Sequence, residues 1–497
     1  MVVDSNGTRP ANQIELKRSH RYTWMMNGWT NNSYLDDVGG GTEFTTIGVP
    51  DDFVAVRVGF ANINTEPWTV RKIIACASSS WNDSFNPVDD TRTPRVAEAW
   101  STLTFQNAGS DRDSLVTAAG APVEIAVAGN GADPAMGETS NPFWTFTDWV
   151  PCASAAADPA TGMRILMLRA LIPGNQEVTF TNGKMTEYAA DPSINNGYGY
   201  FTGGLKRDTD LVTDPAPQAL HGMRASTLRA NHLVNGQLIS LVQVLTRNAG
   251  IVGLITGDSH QAGTSTTSNV NNFLTQCLLG IGRGTIGTVP VGVVSTASGG
   301  LSSQQFFPRM TTLLDTVRPS FVVLPGWSYN ELDRGAYATA SAEHVLFVRM
   351  ILAADQVRAA GAIPIFTTPF PRNRAAMTPA VMDGWLAQRD AILAMRRTGE
   401  FVFDATPLLG AVENGRFTGT YLDGLSSDAI HPNNKGHAIL ARAMAPMVEG
   451  ITGLPPAACN PQAAHSSSWN ALSGPDPGAD DEDGLGYLLS RLRWHEG

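Results

Sequence analysis

The stretch Ile-Val-Gly-Leu-Ile-Thr-Gly-Asp-Ser-His occupies residues 251–260. Its apolar first half is typical of a buried strand, although so short a run also fits a helix. Gly257 then permits a sharp turn, since glycine adopts backbone conformations that other residues avoid. The turn would bring Ser259 to the edge of a sheet, where open α/β sheets bind ligands. Because Gly, Asp and Ser are all common turn residues, the triplet alone fits a plain turn better than a nucleophile.

Beyond this stretch, apolar runs alternate with longer segments of helical spacing. Strands are predicted at 251–256, 288–295, 321–325, 362–367 and 401–403, and helices at 272–279, 304–317, 342–360, 379–397 and 435–448. The alternation predicts βαβ units and a five-stranded parallel sheet with helices on both faces. Right-handed crossovers would bring the carboxyl ends of all five strands to one edge.

The preceding part of the chain contains short β-type runs with no helical period between them. These runs are 53–60, 70–75, 101–105, 123–127, 164–168 and 177–180. They predict an all-β sandwich or jelly-roll domain. We therefore expect a lead-in at 1–20, a β domain at 21–215, a connecting segment at 216–247, an α/β domain at 248–455, and a linker and tail at 456–497.

Composition narrows the classes of function. The 497-residue chain is 42% hydrophobic and has a formal net charge of −11, which disfavours nucleic acid as a partner. No apolar run approaches eighteen residues, so no membrane span is expected. CxxC, HExxH and P-loop patterns are missing from the sequence, so neither a metal nor a cofactor is expected. The sequence shows no Sec signal, which predicts a cytoplasmic protein if the chain is complete and an extracellular one if a signal was removed.

Polar residues follow the predicted strands and suit acyl transfer. Ser259 follows the first strand, Gly300 the second and Asn330 the third, while Asp428 and His431 precede the last helix. A serine nucleophile needs an adjacent base, which His431 can supply, and the base needs an orienting carboxylate, which Asp428 can supply. The backbone N–H groups of Ser259 and Gly300 and the amide of Asn330 would stabilise an oxyanion.

These motifs, in this order, resemble the SGNH or GDSL hydrolase family over about residues 250–450. The four family blocks are matched here by Gly257-Asp258-Ser259, by a glycine within 298–300, by Asn330, and by Asp428-x-x-His431. The resemblance implies an α/β/α sandwich with a flavodoxin-like sheet and a Ser259–His431–Asp428 triad. For the backbone donor of the second block we prefer Gly300, and Gly299 stays open as the alternative. Asp428 is preferred to Asp423, which lies eight residues before His431.

Two departures from the family pattern concern the predicted substrate pocket. His260 stands where the family usually has leucine, and the third block is the longer Gly-Trp-Ser-Tyr-Asn of residues 326–330. We predict that His260, Trp327 and Tyr329 line the pocket and select the substrate.

Three functions fit this pattern. The first is a serine esterase that acts on short acyl esters, above all acetyl esters, of a small molecule or a glycan. A β-sandwich ahead of such a hydrolase domain is similar to carbohydrate O-acetylesterases. The alternatives are a non-catalytic carbohydrate-binding or structural module and an acyltransferase that uses the same residues. The sequence does not indicate whether the protein is a monomer or an oligomer.

Overall fold

The protein is described here by a computed structural model. It describes residues 19–25, 29–34, 40–63, 66–78, 100–106, 122–127, 143–157, 163–174, 176–182, 201–207, 210, 212, 236–266, 272–284, 289–332, 345–372 and 378–453. The predicted linker and tail at 456–497, nearly all of the lead-in and the first part of the connecting segment lie outside these residues.

The described strands and helices are as follows, in chain order. The strands are β1 (Ser19–Met25), β2 (Trp29–Tyr34), β3 (Gly40–Val49), β4 (Phe53–Asn62), β5 (Trp68–Val70), β6 (Lys72–Ser78), β7 (Ser101–Leu103), β8 (Ile125–Val127), β9 (Phe143–Phe146), β10 (Val150–Pro151), β11 (Arg164–Pro173), β12 (Glu177–Asn182), β13 (Phe201–Arg207), β14 (Gly236–Gln237), β15 (Leu241–Ile255), β16 (Val291–Ser295), β17 (Phe321–Leu324), β18 (Ile363–Thr367), β19 (Phe401–Phe403), β20 (Gly410–Glu413) and β21 (Arg416–Tyr421). The helices are α1 (Phe273–Gly284), α2 (Ser303–Thr311), α3 (Leu314–Val317), α4 (Tyr329–Leu332), α5 (Val345–Ala359), α6 (Pro379–Ala394), a 3₁₀ helix (Met395–Thr398), α7 (Thr406–Leu409) and α8 (Asn434–Thr452).

Strand β15 lies at the centre of a parallel array. It pairs in parallel with β16 on one side and with β17 on the other, and β18 and β19 follow β17, also in parallel. In the order β16-β15-β17-β18-β19, the chain leaves β15 for β16 on one side and then crosses over to β17 on the other side of β15. Its order therefore reverses between β15 and β17, and open α/β sheets bind ligands at such a reversal.

The sheet extends beyond these five strands. Residues 241–250 form the first part of β15 and pair antiparallel with β1 and β4, and β4 pairs in turn with β9 and β10. The result is a nine-stranded mixed sheet, in which β1 also pairs in parallel with β16. The separate five-stranded parallel sheet of the prediction is therefore not confirmed. Strand β15 also spans the predicted boundary at 247–248, so the β-rich part and the parallel array share one strand.

Helices cover both faces of the parallel array. Successive side chains of a strand point to opposite faces, and β15 follows this rule: Ile251 and Ile255 pack with α1 and α8, whereas Val252 and Leu254 pack with α2, α5 and α6. The predicted helix at 304–317 is divided into α2 and α3. The hydroxyls of Thr311 and Thr312 donate to backbone carbonyls three residues earlier, and such bonds compete with helix continuation.

The β-rich part contains further sheets. One has five strands in the order β13-β3-β11-β6-β7, all antiparallel, and one has three strands in the order β14-β12-β2. The jelly-roll form of this part and the domain boundaries stay predictions.

A buried polar cluster joins the β-rich part to the helices of the parallel array. Arg57, on β4, donates from Nε to Gln243 Oε1 at 2.7 Å and lies 4.7 Å from the ring centroid of Trp149. Gln243, on β15, and Arg21, on β1, each donate to the backbone carbonyl of Thr316 in α3 at 3.0 Å. The two parts are therefore connected through their interior as well as through the shared strand.

Candidate active site

The turn after β15 requires glycine at its first position. Gly257 has a φ of +147°, and a Cβ atom there would lie 2.4 Å from Oε1 of Gln261. That oxygen accepts the backbone N–H of Asp258 at 3.2 Å. The side chain of Gln261 thus closes the turn, which leads directly to the half-buried Ser259.

The structure brings the three predicted triad residues together. The Ser259 hydroxyl lies 2.9 Å from Nε2 of His431, and Nδ1 of His431 lies 2.7 Å from Oδ2 of Asp428. Because an ionised carboxylate only accepts hydrogen bonds, Nδ1 carries the proton, and Nε2 is left to accept the serine hydroxyl. This is the tautomer that a serine nucleophile requires.

The loop that carries Asp428 is held by its own carboxylate. Oδ1 accepts the backbone N–H groups of Ile430 and His431, each at 2.8 Å, and Oδ2 accepts the hydroxyl of Ser265 at 2.7 Å. Burial raises the pKa of Asp428, but the hydrogen bonds from His431, Ser265 and the backbone lower it well below its usual range. Asp428 is therefore ionised, and Ala429 between these residues is held at a φ of +61°.

The environment of His431 keeps its imidazole neutral. Burial lowers the pKa of His431, the electrostatic effect of the neighbouring His260 lowers it further, and Asp428 opposes both effects. At neutral pH the ring is therefore in the form that can remove a proton from Ser259.

Within the described part of the chain, backbone N–H groups without an acceptor occur at Ser259 and in the loop after β16. Among the described residues, the N–H groups of Ser259, Gly299 and Gly300 have no hydrogen-bond acceptor. A Cβ atom on Gly299 would lie 4.0 Å from Cβ of Ser259, whereas one on Gly300, whose φ is +78°, would have no neighbour within 4 Å. The N–H groups of Gly299 and Gly300 are thus both available to an oxyanion, and the preference for Gly300 stays a prediction.

Asn330 is attached to the same loop. Its Nδ2 donates to the backbone carbonyl of Leu301 at 2.8 Å, and Leu301 directly follows Gly300. The loop between β17 and Asn330 contains Gly326, where a Cβ atom would lie 2.0 Å from the carbonyl oxygen of Thr367, the last residue of β18. Glycine at 326 therefore allows the loop after β17 to pack against the carboxyl end of β18 and fixes the position of Asn330.

The three predicted substrate-binding side chains lie in the interior. His260, Trp327 and Tyr329 are each 4% exposed. The hydroxyl of Tyr329 donates to the carbonyl of Phe370 at 3.1 Å, and burial raises the pKa of Tyr329. Their contact with a substrate stays a prediction. In the structure the ring centroids of His260 and Tyr329 are 5.7 Å apart, and those of Tyr329 and Trp327 are 6.1 Å apart.

The sequence reasoning missed a buried network around Asp258. Its Oδ1 accepts both the backbone N–H of His260, at 2.9 Å, and the ring Nδ1 of His260, at 3.0 Å. Its Oδ2 accepts the hydroxyl of Ser328 at 2.8 Å. An aspartate and a histidine on either side of the proposed nucleophile were the available signal for this network. Glu331, which the sequence left undecided, is buried beside Arg349 and accepts the backbone N–H of Ser303.

Within the described residues, no group of three or more His, Cys, Asp or Glu side chains is arranged to hold a metal ion. No helix in this part of the chain has the length and apolar composition needed to cross a membrane.

Comparison with known proteins gives similarity in structure alone. No protein-family model matches the chain, and no curated protein matches it in sequence. Solved structures of GDSL hydrolases align with about 40% of it. A GDSL-like lipase from Bacteroides thetaiotaomicron is 14% identical, with a TM-score of 0.32 over 40% of this chain and 87% of its own. A psychrotrophic esterase from Pseudoalteromonas sp. is 14% identical, with a TM-score of 0.31 over 41% of this chain and 98% of its own. The chemistry of this chain therefore has to be inferred from its own side chains.

Proposed function

We propose that the chain is a serine ester hydrolase that works through an acyl-serine intermediate. The observation that carries the proposal is the hydrogen-bonded series from Ser259 through His431 to Asp428, with distances of 2.9 and 2.7 Å. A neutral histidine that accepts a serine hydroxyl and donates to an ionised carboxylate is the arrangement that activates serine for attack on a carbonyl carbon.

The reaction proceeds in two halves. Ser259 Oγ attacks the ester carbonyl while its proton passes to Nε2 of His431, and Asp428 stabilises the resulting imidazolium. The oxyanion is bound by the N–H groups of Ser259 and Gly300 (or Gly299) and by the amide of Asn330. His431 then returns the proton to the leaving alcohol. In the second half, His431 removes a proton from water and the hydroxide attacks the acyl carbon. His431 then gives the proton to Ser259 Oγ as the carboxylic acid is released, which restores the free enzyme.

The substrate is a short acyl ester, above all an acetyl ester. The segment that follows the nucleophile, Gln-Ala-Gly-Thr-Ser-Thr at 261–266, contains small and polar residues, which suits a short acyl group better than a long apolar one. A β-rich part joined to the hydrolase part supports a glycan as the alcohol, by the resemblance to carbohydrate O-acetylesterases.

The exposure of the site favours hydrolysis over acyl transfer. The side chain of Asp428 is 37% exposed, and Ser259 is half-buried, so water reaches both ends of the proposed triad. A non-catalytic module would have no need for a serine, a neutral histidine and an ionised aspartate in hydrogen-bond contact.

The test is ester hydrolysis by the intact chain and by Ser259→Ala. With p-nitrophenyl acetate we expect Ser259→Ala to lower kcat by about 10⁴-fold or more, because the nucleophile is lost. Thr264→Ala, which removes an exposed hydroxyl from the same turn, is the matched control and should keep full activity. A series of acyl chain lengths and acetylated polysaccharides then identifies the substrate. Equal turnover by the intact chain and Ser259→Ala would reject the proposal.

A further inference from the structure

The side chain of His260 connects the two loops that supply the proposed nucleophile and base. One ring nitrogen, Nδ1, lies 3.0 Å from Oδ1 of Asp258, the residue before Ser259. The other, Nε2, lies 2.7 Å from the backbone carbonyl oxygen of Ile430, the residue before His431. One buried ring thus joins the two backbone positions that immediately precede the reacting side chains.

Both of these partners are acceptors. A carbonyl oxygen carries no hydrogen, so Nε2 must donate to Ile430. The Asp258 carboxylate already accepts the hydroxyl of Ser328 and the backbone N–H of His260. Both oxygens of Asp258 thus accept hydrogen bonds in this site, as an ionised carboxylate does. An ionised Asp258 requires that Nδ1 donates as well, and a histidine that donates from both nitrogens is an imidazolium.

The geometry points to His260 as a positioning residue, a buried imidazolium that donates to Asp258 and to Ile430 and so fixes His431 against Ser259. This inference rests on the proposed function. The carbonyl of Ile430 also accepts the hydroxyl of Tyr421 at 3.0 Å, and the intervening Ala429 has the left-handed φ of +61°. Such a conformation is costly outside glycine and persists where surrounding contacts enforce it. The bond from His260 is one of those contacts.

The charge of His260 has a second effect. The rings of His260 and His431 are 5.2 Å apart between centroids, and a second positive charge at that distance is disfavoured. His431 therefore stays a free base at lower pH than it would beside a neutral residue. The titratable and charged groups around the pair are Asp258, Asp428, Tyr329, Tyr421, His437 and, over the ring of Tyr329, Arg372.

The protonation of His260 can be measured without any substrate. In the ¹⁵N-histidine-labelled intact protein, we expect two ring N–H proton signals for His260 at pH 7.5 and one, on Nδ1, for His431. His260→Gln assigns the first pair of signals. A neutral His260 with one unprotonated ring nitrogen at this pH would overturn the inference, whatever the outcome of the ester assays.

The positioning effect is read from the pH profile of kcat/KM. A glutamine cannot donate to both partners and carries no charge, so His260→Gln should lower kcat by about 10²-fold through misplacement of His431, leave KM largely unchanged, and move the acidic limb to higher pH. The matched control is His437→Phe, which removes another buried histidine with no polar partner among the described residues and should leave the limb in place. An unmoved limb in His260→Gln would contradict the inference.

A second reagent separates this inference from the proposed function. The rate at which a fluorophosphonate labels Ser259 reports the nucleophile without ester turnover. Slower labelling of His260→Gln, in a protein with an unchanged circular dichroism spectrum, supports the positioning role even if no ester is hydrolysed. If the intact chain and His260→Gln label equally fast, His260 does not position the base.

Discussion

Individual side chains in this site show how charge is arranged around a neutral base. Asp258 and Asp428 are both ionised: burial raises the pKa of each, but the neighbouring histidine and the hydrogen bonds lower it below its ordinary value. The neutral His431 donates to one of them, and the charged His260 donates to the other. Two histidines 5.2 Å apart thus adopt different protonation states because their partners differ: a serine hydroxyl in one case and a carbonyl oxygen in the other.

His437 gives a prediction on acid stability. It is fully buried in α8, stacks on Phe273, and burial lowers its pKa to about 3. Unfolded histidine titrates near pH 6.5, so between about pH 6.5 and 3 the unfolded chain binds a proton that the folded protein does not. The free energy of unfolding therefore falls with falling pH, by about 1.4 kcal/mol per unit from this residue.

Urea denaturation at pH 6.5, 5.5 and 4.5 measures the effect. His437→Phe removes the titrating group and should show a shallower loss of stability over this range than the unmodified chain, since all other groups are shared. If the free energy of unfolding falls equally with pH in both proteins, His437 binds its proton in the folded protein as readily as in the unfolded chain.

The residues of the proposed triad were predictable because their spacing is local. Asp428 and His431 lie within one turn, and Ser259 follows an apolar run and a glycine. The contact of His260 was not predictable in this way. Its partner is a backbone carbonyl 170 residues away, and any residue type at position 430 would present the same oxygen.

At the level of elements, the loop after β17 depends on a close approach between backbones. The end of β18 and helix α6 leave no room for a side chain at Gly326, since Thr367 O and Ile392 Cδ1 would lie 2.0 and 2.5 Å from an added Cβ. The loop ends at α4, which carries Asn330.

Two glycine substitutions test this dependence. Gly326→Ala should lower the free energy of unfolding by about 1–3 kcal/mol, as overpacking does, and should lower kcat because Asn330 is displaced. Gly450→Ala lies in the exposed part of α8, with no atom near the added Cβ. It should raise the free energy of unfolding by about 0.5–1 kcal/mol. Thermal unfolding measures the change in stability, and p-nitrophenyl acetate turnover measures kcat. Unchanged stability and kcat in Gly326→Ala would show that the loop can move to accommodate the added methyl group.

The parallel strands were predictable from their apolar runs, whereas the full length of β15 was not. Residues 246–250, Thr-Arg-Asn-Ala-Gly, are polar or small and suggest a connection between strands. They continue the strand because Thr246 pairs with Phe53 of β4 and Gly250 pairs with Ser19 of β1, and those partners are remote in the sequence.

For the molecule as a whole, the buried cluster around Arg57 predicts one unfolding transition. Arg57→Ala leaves a cavity beside Trp149 and removes the donor to Gln243, so it should cost about 2–4 kcal/mol. Both the tryptophan fluorescence of the β-rich part and the catalytic activity should be lost at the same lowered temperature.

The control is Arg247→Ala. The side chain of Arg247 is 77% exposed, and its nearest carboxylate oxygen, on Asp52, is 3.9 Å away. A surface pair of this kind contributes little, so the Tm should hardly change. Two separate transitions in Arg57→Ala would show that the β-rich part unfolds independently.

The shared strand also fixes the order of events during synthesis. Arg57 on β4 and its partner Gln243 on β15 are 186 residues apart. At about 5–20 residues per second, the ribosome needs roughly 10–40 s to add that length. Strand β4 therefore emerges long before β15 is available, and an unpaired strand edge is prone to aggregation. Efficient production of this protein then depends on protecting the nascent β-rich part until residue 255 has left the ribosome.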